Sequence, residues 1–128
     1  EDPDFKGLPE PRPAQSVRAF DEEAAAYSPE ERAKAVGIVC RKAKAQGLNA
    51  SGAFRTGVLE IGLANSLGTL AYHPTTFADY MVTVMSDDSA GRAQACGWKA
   101  GDINAEAVGD EALGKAARGR SPRPVEPG

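Results

Sequence analysis

"LEIGLANSLGTLAYHPTT", residues 59–76, is the stretch on which the reading of the fold turns. Leu59, Ile61 and Leu63 alternate with other residues, so they share one face of an extended segment. Asn65-Ser66-Leu67-Gly68 then interrupts the run. Asn is favoured at the first position of a four-residue turn and Gly at the fourth, because Asn bonds its own backbone and Gly tolerates positive φ. "TLAYH" resumes the extended pattern and Pro74 stops it. The stretch reads as a hairpin carrying the only histidine of the chain, His73.

The same period of two continues on both sides. Residues 48–56, "LNASGAFRT", place Leu48, Ala50, Gly52 and Phe54 on one face, and Gly57 is expected to break that strand from residues 58–64. Residues 76–86, "TFADYMVTVMS", carry Phe77, Met81 and Met85 on one parity and Tyr80, Val82 and Val84 on the other. Both faces being apolar, this strand is expected to be covered on both sides. Asp87-Asp88-Ser89-Ala90-Gly91 is a turn, and 92–99, "RAQACGWK", a last strand with Cys96 and Trp98 on one face.

Helices flank these strands. Residues 20–26 are expected to form one or two helical turns. Ser28-Pro29-Glu30-Glu31 is a capping box with Pro at the first helical position. Val36, Val39, Cys40 and Ala43 repeat as one apolar stripe, and Gly47 follows as a left-handed stop covered by Leu48. This predicts a helix over 29–46. Asn104 caps a second helix over 104–118, stapled by Ile103 and Val108, with Val108, Ala112, Leu113 and Ala116 on its apolar side and Gly119 as its stop. Gly109 and Gly114 each weaken that helix by roughly 1 kcal/mol relative to Ala, so it depends on docking to the sheet. The fold class is α+β: an antiparallel meander of about four strands with a helix before and a helix after.

The chain has 128 residues, 41% of them hydrophobic and 26% charged, with net charge −3. That is one domain's worth of chain with a modest core. The mild acidity offers no electrostatic footprint for nucleic acid. No apolar run approaches the ~20 residues that span a bilayer, and the acidic start Glu1-Asp2-Pro3-Asp4 is not a signal peptide. Two cysteines make no disulfide framework, so a reducing cytoplasm is expected. Prolines crowd both ends. Residues 1–27 read as an extended lead-in with a possible short helix, 28–120 as the α+β domain and 121–128 as an exit linker, the pattern of a module cut from a longer protein.

Candidate chemistry is sparse. His73 as a base or ligand needs helpers, and Asp79, Asp87, Asp88, Cys40 and Cys96 stand at no recognised spacing from it. Cys40 and Cys96 are expected to be buried structural thiols. One His and two Cys fall short of a zinc set. "DDSAG", 87–91, lacks the further acids of a calcium loop. Glu30 and Glu31 suit a helix N-terminus, while Glu22 and Glu23 are paired only by position. Lys115, Arg118, Arg120 and Arg123 form a small basic cluster at a helix end. Tyr80 and Trp98 read as core. No residue is assigned as catalytic, cofactor-binding or metal-binding.

"GLANSLGTLAYHPTTFADYMVTV", a polar turn, and then "GDINAEAVGDEALGKAARGRSPRPVEPG" together resemble the TldD/PmbA family, also called modulators of DNA gyrase or microcin-processing peptidases. The resemblance spans residues 28–128 and rests on the A-N-S-x-G turn (Ala64, Asn65, Ser66, Gly68), the strand after it, the D-I-x-A-E-A-x-G start (Asp102, Ile103, Ala105, Glu106, Ala107, Gly109) and the P-R-P-x-E-P-G exit. It implies the amino-terminal segment of a zinc metallopeptidase, often built from two related subunits, that cleaves small or unfolded peptides. The family's metal site is an H-E-x-x-x-H helix and a later Cys in the carboxy-terminal half. No H-E-x-x-x-H occurs here, so no metal or catalytic residue is carried over and the chain alone is expected to be inactive.

The resemblance therefore implies a scaffold or substrate-chamber domain. Its partners would be the catalytic half, a related subunit and the peptide substrate, with no nucleic acid or membrane among them. It holds no cofactor of its own, zinc being expected in the missing half. The alternative is a freestanding protein-interaction module. A third reading makes His73 a catalytic base.

Overall fold

A computed structural model describes residues 2–125. Glu1 and the last three residues of the exit segment lie outside the described residues. The element order is α1 (Glu22–Ala26), α2 (Pro29–Ala45), β1 (Asn49–Ala64), β2 (Leu70–Met85), β3 (Ala90–Gly97) and α3 (Ala105–Arg118). The strands form one antiparallel sheet in the order β1-β2-β3, with the helices on one face. The α+β meander with a helix before and after is what the sequence predicts.

The helix ends follow local chemistry. Ser28 Oγ accepts from the Glu31 N–H at 3.2 Å, and Glu31 Oε2 accepts from the Ser28 N–H at 2.7 Å. That reciprocal pair holds the Glu31 carboxyl below its ordinary range. At the far end Gly47 adopts φ +67°. The N–H groups of Leu48 and Gly47 reach back to the carbonyls of Ala43 and Lys44, a Schellman closure. Asn104 caps α3 by accepting from the Ala107 N–H at 2.9 Å. Gly119 ends α3 in right-handed geometry, and the left-handed residue falls two positions later at Ser121.

Among the described residues the sheet has three strands rather than about four. The expected break at Gly57 does not occur, because the Phe77 ring on β2 lies over Gly57, where a Cβ would sit 2.8 Å from Phe77 Cε1. The ring supplies the cover that glycine lacks. Nor does Pro74 end its strand: it pairs with Glu60 inside β2. The Thr76 N–H points away from β1, to the Ala19 carbonyl. By the two-residue period the Pro74 nitrogen faces that same outer edge, where a missing N–H costs no ladder bond. β1 and β2 are therefore each 16 residues long.

β3 pairs only with Ala78–Met85 of β2. The far halves of β1 and β2, residues 58–64 and 70–77, consequently project beyond it as a two-stranded arm. The Asn65–Gly68 turn caps its tip as expected, with Asn65 Oδ1 accepting from the Leu67 and Thr69 N–H groups at 3.0 Å each.

The core lies between the helices and the sheet. Val39 and Ala43 of α2, Tyr80, Val82 and Val84 of β2, and Val108, Ala112, Leu113 and Ala116 of α3 are buried together. Small residues dominate because the layers approach closely. Gly91 of β3 meets the α3 backbone so tightly that a Cβ would overlap Ala112 O and lie 2.5 Å from Ala116 N. Tyr27, Phe54 and Tyr80 stack in series, with centroids 5.7 and 5.2 Å apart. The expected cover on both sides of β2 is not found among the described residues: the helices take one face, and Phe77 and Met85 on the other are 42% and 41% exposed.

Candidate functional site

The face of the sheet opposite the helices is the surface with features the fold itself does not use. Register places Leu59, Ile61 and Leu63 of β1 beside Thr75, His73 and Ala71 of β2 on this face. Leu59, Ile61, Leu63 and Phe77 are all exposed. A polar band crosses the face below them. The Arg55 guanidinium pairs with the Asp79 carboxylate, Gln94 Nε2 donates to Asp79 Oδ1 at 3.1 Å, and Arg92 Nη2 contacts Met81 Sδ at 2.8 Å. Arg55 holds the Asp79 carboxyl below its usual range against the opposing effect of desolvation, and Gln94 adds to the lowering. On the other face of the arm, Tyr72 Oη donates to the Glu60 carboxylate, which pushes the phenol up.

Thr76 organises the base of the arm. It is buried at 2% exposure. Its Oγ1 donates to the Trp98 carbonyl at 2.6 Å and accepts from the Asp21 N–H at 3.1 Å. Its own N–H donates to the Ala19 carbonyl at 2.9 Å. One side chain thus ties the lead-in to α1, the middle of β2 and the end of β3. Nothing local in the sequence marks Thr76, because its partners lie 22 and 55 residues away. The packing of residues 9–20 along the arm was likewise hidden, since a Pro-rich run has no period to read.

The sequence candidates do not converge. His73 stands on β2 opposite Ile61, half-buried beneath residues 14–20. Cys40 and Cys96 are exposed, which corrects the expected burial. Cys40 falls on the edge of the α2 stripe, where Val39 and Ala43 take the contact with α3 and the sheet. Cys96 points to the open face because Gly91, Ala93 and Ala95 are the β3 residues turned toward α3. Trp98 lies past the end of β3, half-buried, with Lys99 Nζ 4.8 Å from its ring centroid.

Asp88 closes the β2–β3 turn. Its carboxylate accepts from the Ser121 N–H at 2.8 Å and from Ser86 Oγ at 2.9 Å, and these bonds lower its pKa in that order. Lys115 Nζ binds Glu111 and the Arg92 carbonyl, leaving Arg118, Arg120 and Arg123 exposed.

The donors do not fit a zinc centre. Cys96 pairs across the sheet with Asp79. His73 is six residues further along β2, about 20 Å at the rise of an extended strand. Among the described residues no group of three or more His, Cys, Asp or Glu could hold a metal ion. No helix among them is long and apolar enough to cross a membrane.

No match is found among curated proteins or solved structures. The family model for the PmbA/TldA metallopeptidase central domain matches residues 7–120. The matched unit is thus central in the family, where the sequence resemblance implied an amino-terminal segment. The match also starts well before residue 28, within the Pro-rich lead-in. With most of its length covered, the chain belongs to the PmbA/TldA metallopeptidase family, and residues 7–120 are a central domain of that family.

Proposed function

We propose that this domain is a non-catalytic supporting part of a TldD/PmbA-type zinc metallopeptidase acting on small or unfolded peptides in the cytoplasm. Its role is to pack against the metal-bearing part of the protein, help wall the substrate chamber and support pairing with a related subunit. The observation that carries this reading is the family match over residues 7–120. The open sheet face supports it. A two-layer domain ordinarily keeps its uncovered sheet face polar, and here Leu59, Ile61, Leu63 and Phe77 occupy it. Apolar side chains gathered on one face mark a contact surface.

The test uses the chain as it stands beside the protein encoded by the uninterrupted gene. Metal content after dialysis against a weak chelator and cleavage of unstructured peptides are measured on both. The reading expects no stoichiometric zinc and no cleavage in residues 1–128, and both in the longer protein. Tightly held zinc in residues 1–128 would sink it.

A further inference from the structure

The Pro-rich segment before α1 is held to the arm at both ends. At the arm's tip the Pro9 carbonyl accepts from Asn65 Nδ2 at 2.9 Å and from Thr69 Oγ1 at 3.3 Å, both exposed side-chain bonds. Pro11 sits close by, with its Cγ 3.9 Å from where a Cβ on Gly68 would be. At the base the Ala19 carbonyl accepts from the Thr76 N–H and from Thr75 Oγ1, each at 2.9 Å, inside the partly buried Thr76 junction.

The two ends are unequal in kind. The base contact is a backbone bond backed by a partly buried hydroxyl. The tip contact is two solvated side chains on one carbonyl, which water replaces at little cost.

The segment is also too long for its span. Ten residue steps lead from Pro9 to Ala19, about 31 Å as an extended proline-rich chain. Seven residue steps lead from Thr69, just before β2, to Thr76, about 23 Å at strand rise. The surplus leaves the segment slack over that span. Beneath it is a cavity of about 620 Å³, lined by residues 14–20 above and by Ile61, Leu63, Ala71 and His73 below. The segment shields an edge that β3 leaves uncovered beyond Ala78. Prolines at 9, 11 and 13 remove N–H groups, so the shield offers less of a new edge for another strand to join.

We propose that residues 9–19 are a strap that opens from one end. The Pro9 contact with Asn65 and Thr69 is the latch and the Ala19–Thr76 junction is the hinge. Opening uncovers the outer backbone edge of β2 from Leu70 to Pro74 and the half-buried His73.

The single histidine makes the test unambiguous. The rate of His73 modification by diethyl pyrocarbonate is measured on the intact chain, on Asn65→Asp and on a chain lacking residues 1–12. Asn65→Asp keeps the oxygen that caps the turn and removes the donor to Pro9. It is expected to raise the rate roughly two- to tenfold, the population shift for losing one hydrogen bond. The shortened chain, which has no latch, is expected to react at least as fast, with unchanged far-UV circular dichroism in both. In Asn65→Asp the Thr76 amide should keep its protection from hydrogen exchange, because the hinge stays closed. An unchanged His73 rate in the shortened chain overturns the strap. Equal loss of Thr76 protection overturns the one-ended opening.

Discussion

Gly109 on α3 and Val39 on α2 touch through the absence of a side chain: a methyl group on Gly109 would overlap Val39 Cγ2 and lie 3.1 Å from its Cβ. Both residues are buried in the main core. Gly109→Ala is therefore expected to destabilise, although Ala favours the helix by about 1 kcal/mol, because overpacking a tight core costs about 1–3 kcal/mol. Gly91→Ala is expected to cost more, since the overlapping atoms are α3 backbone and cannot rotate away. Thermal unfolding measures both, at about 4 °C per kcal/mol for a domain of this size. A Gly91→Ala protein as stable as the parent would refute the close docking of β3 on α3.

Tyr80 is fully buried, and among the described residues its hydroxyl has no hydrogen-bond partner. Burial, with a smaller contribution from Cys40, raises its pKa. Tyr80→Phe removes an unsatisfied polar atom and keeps the ring contact with Phe54. The variant is expected to be about 1 kcal/mol more stable by urea unfolding. A loss of stability would show that the hydroxyl has a partner in solution.

Thr76→Val keeps the shape and the β-branch but removes the hydroxyl. The Asp21 N–H and the Trp98 carbonyl then lose their shared partner. The expected cost is about 1–3 kcal/mol, with faster amide exchange at Asp21 as the local sign. Unaltered exchange there would mean that the junction does not depend on the hydroxyl.

Among the described residues three carboxylates are held below their ordinary pKa: Glu31 by Ser28, Asp79 by Arg55 and then Gln94, and Asp88 by the Ser121 amide and then Ser86. A depressed folded-state pKa gives stability that is present above the unfolded value, about 4, and is lost as pH falls through the folded value. The urea midpoint should therefore fall as pH drops below about 4. Asp79→Asn should shrink that fall. Lys42, raised by Asp110 and then Glu106, works with the opposite sign: its contribution persists at neutral pH and is lost only at strongly alkaline pH. An acid profile identical in Asp79→Asn would remove Asp79 from this account.

The elements most legible in the sequence were those set by neighbours a few residues away. The Ser28–Glu31 box, the Gly47 stop, the Asn65 turn and the Asn104 cap all form as their local chemistry predicts. What failed depended on distant partners. Gly57 stays in its strand because Phe77 covers it, and Pro74 because its nitrogen faces the outer edge. Cys40 and Cys96 look apolar in sequence, but Val39 and Ala95 take the inward positions beside them. The open face was half legible: both parities of β2 were visibly apolar, but nothing in the period says which side the helices take.

The proposed function requires the open sheet face to be covered in the protein from the uninterrupted gene. Hydroxyl-radical footprinting of residues 1–128 alone, and of the protein from the uninterrupted gene, compares labelling of Leu59, Ile61, Leu63, Phe77 and Met85 in the two. The account predicts that these side chains, exposed here, lose most of their labelling in the longer protein. Val125, exposed beyond the domain, reports any general change. Equal labelling of the sheet face in both would contradict the account.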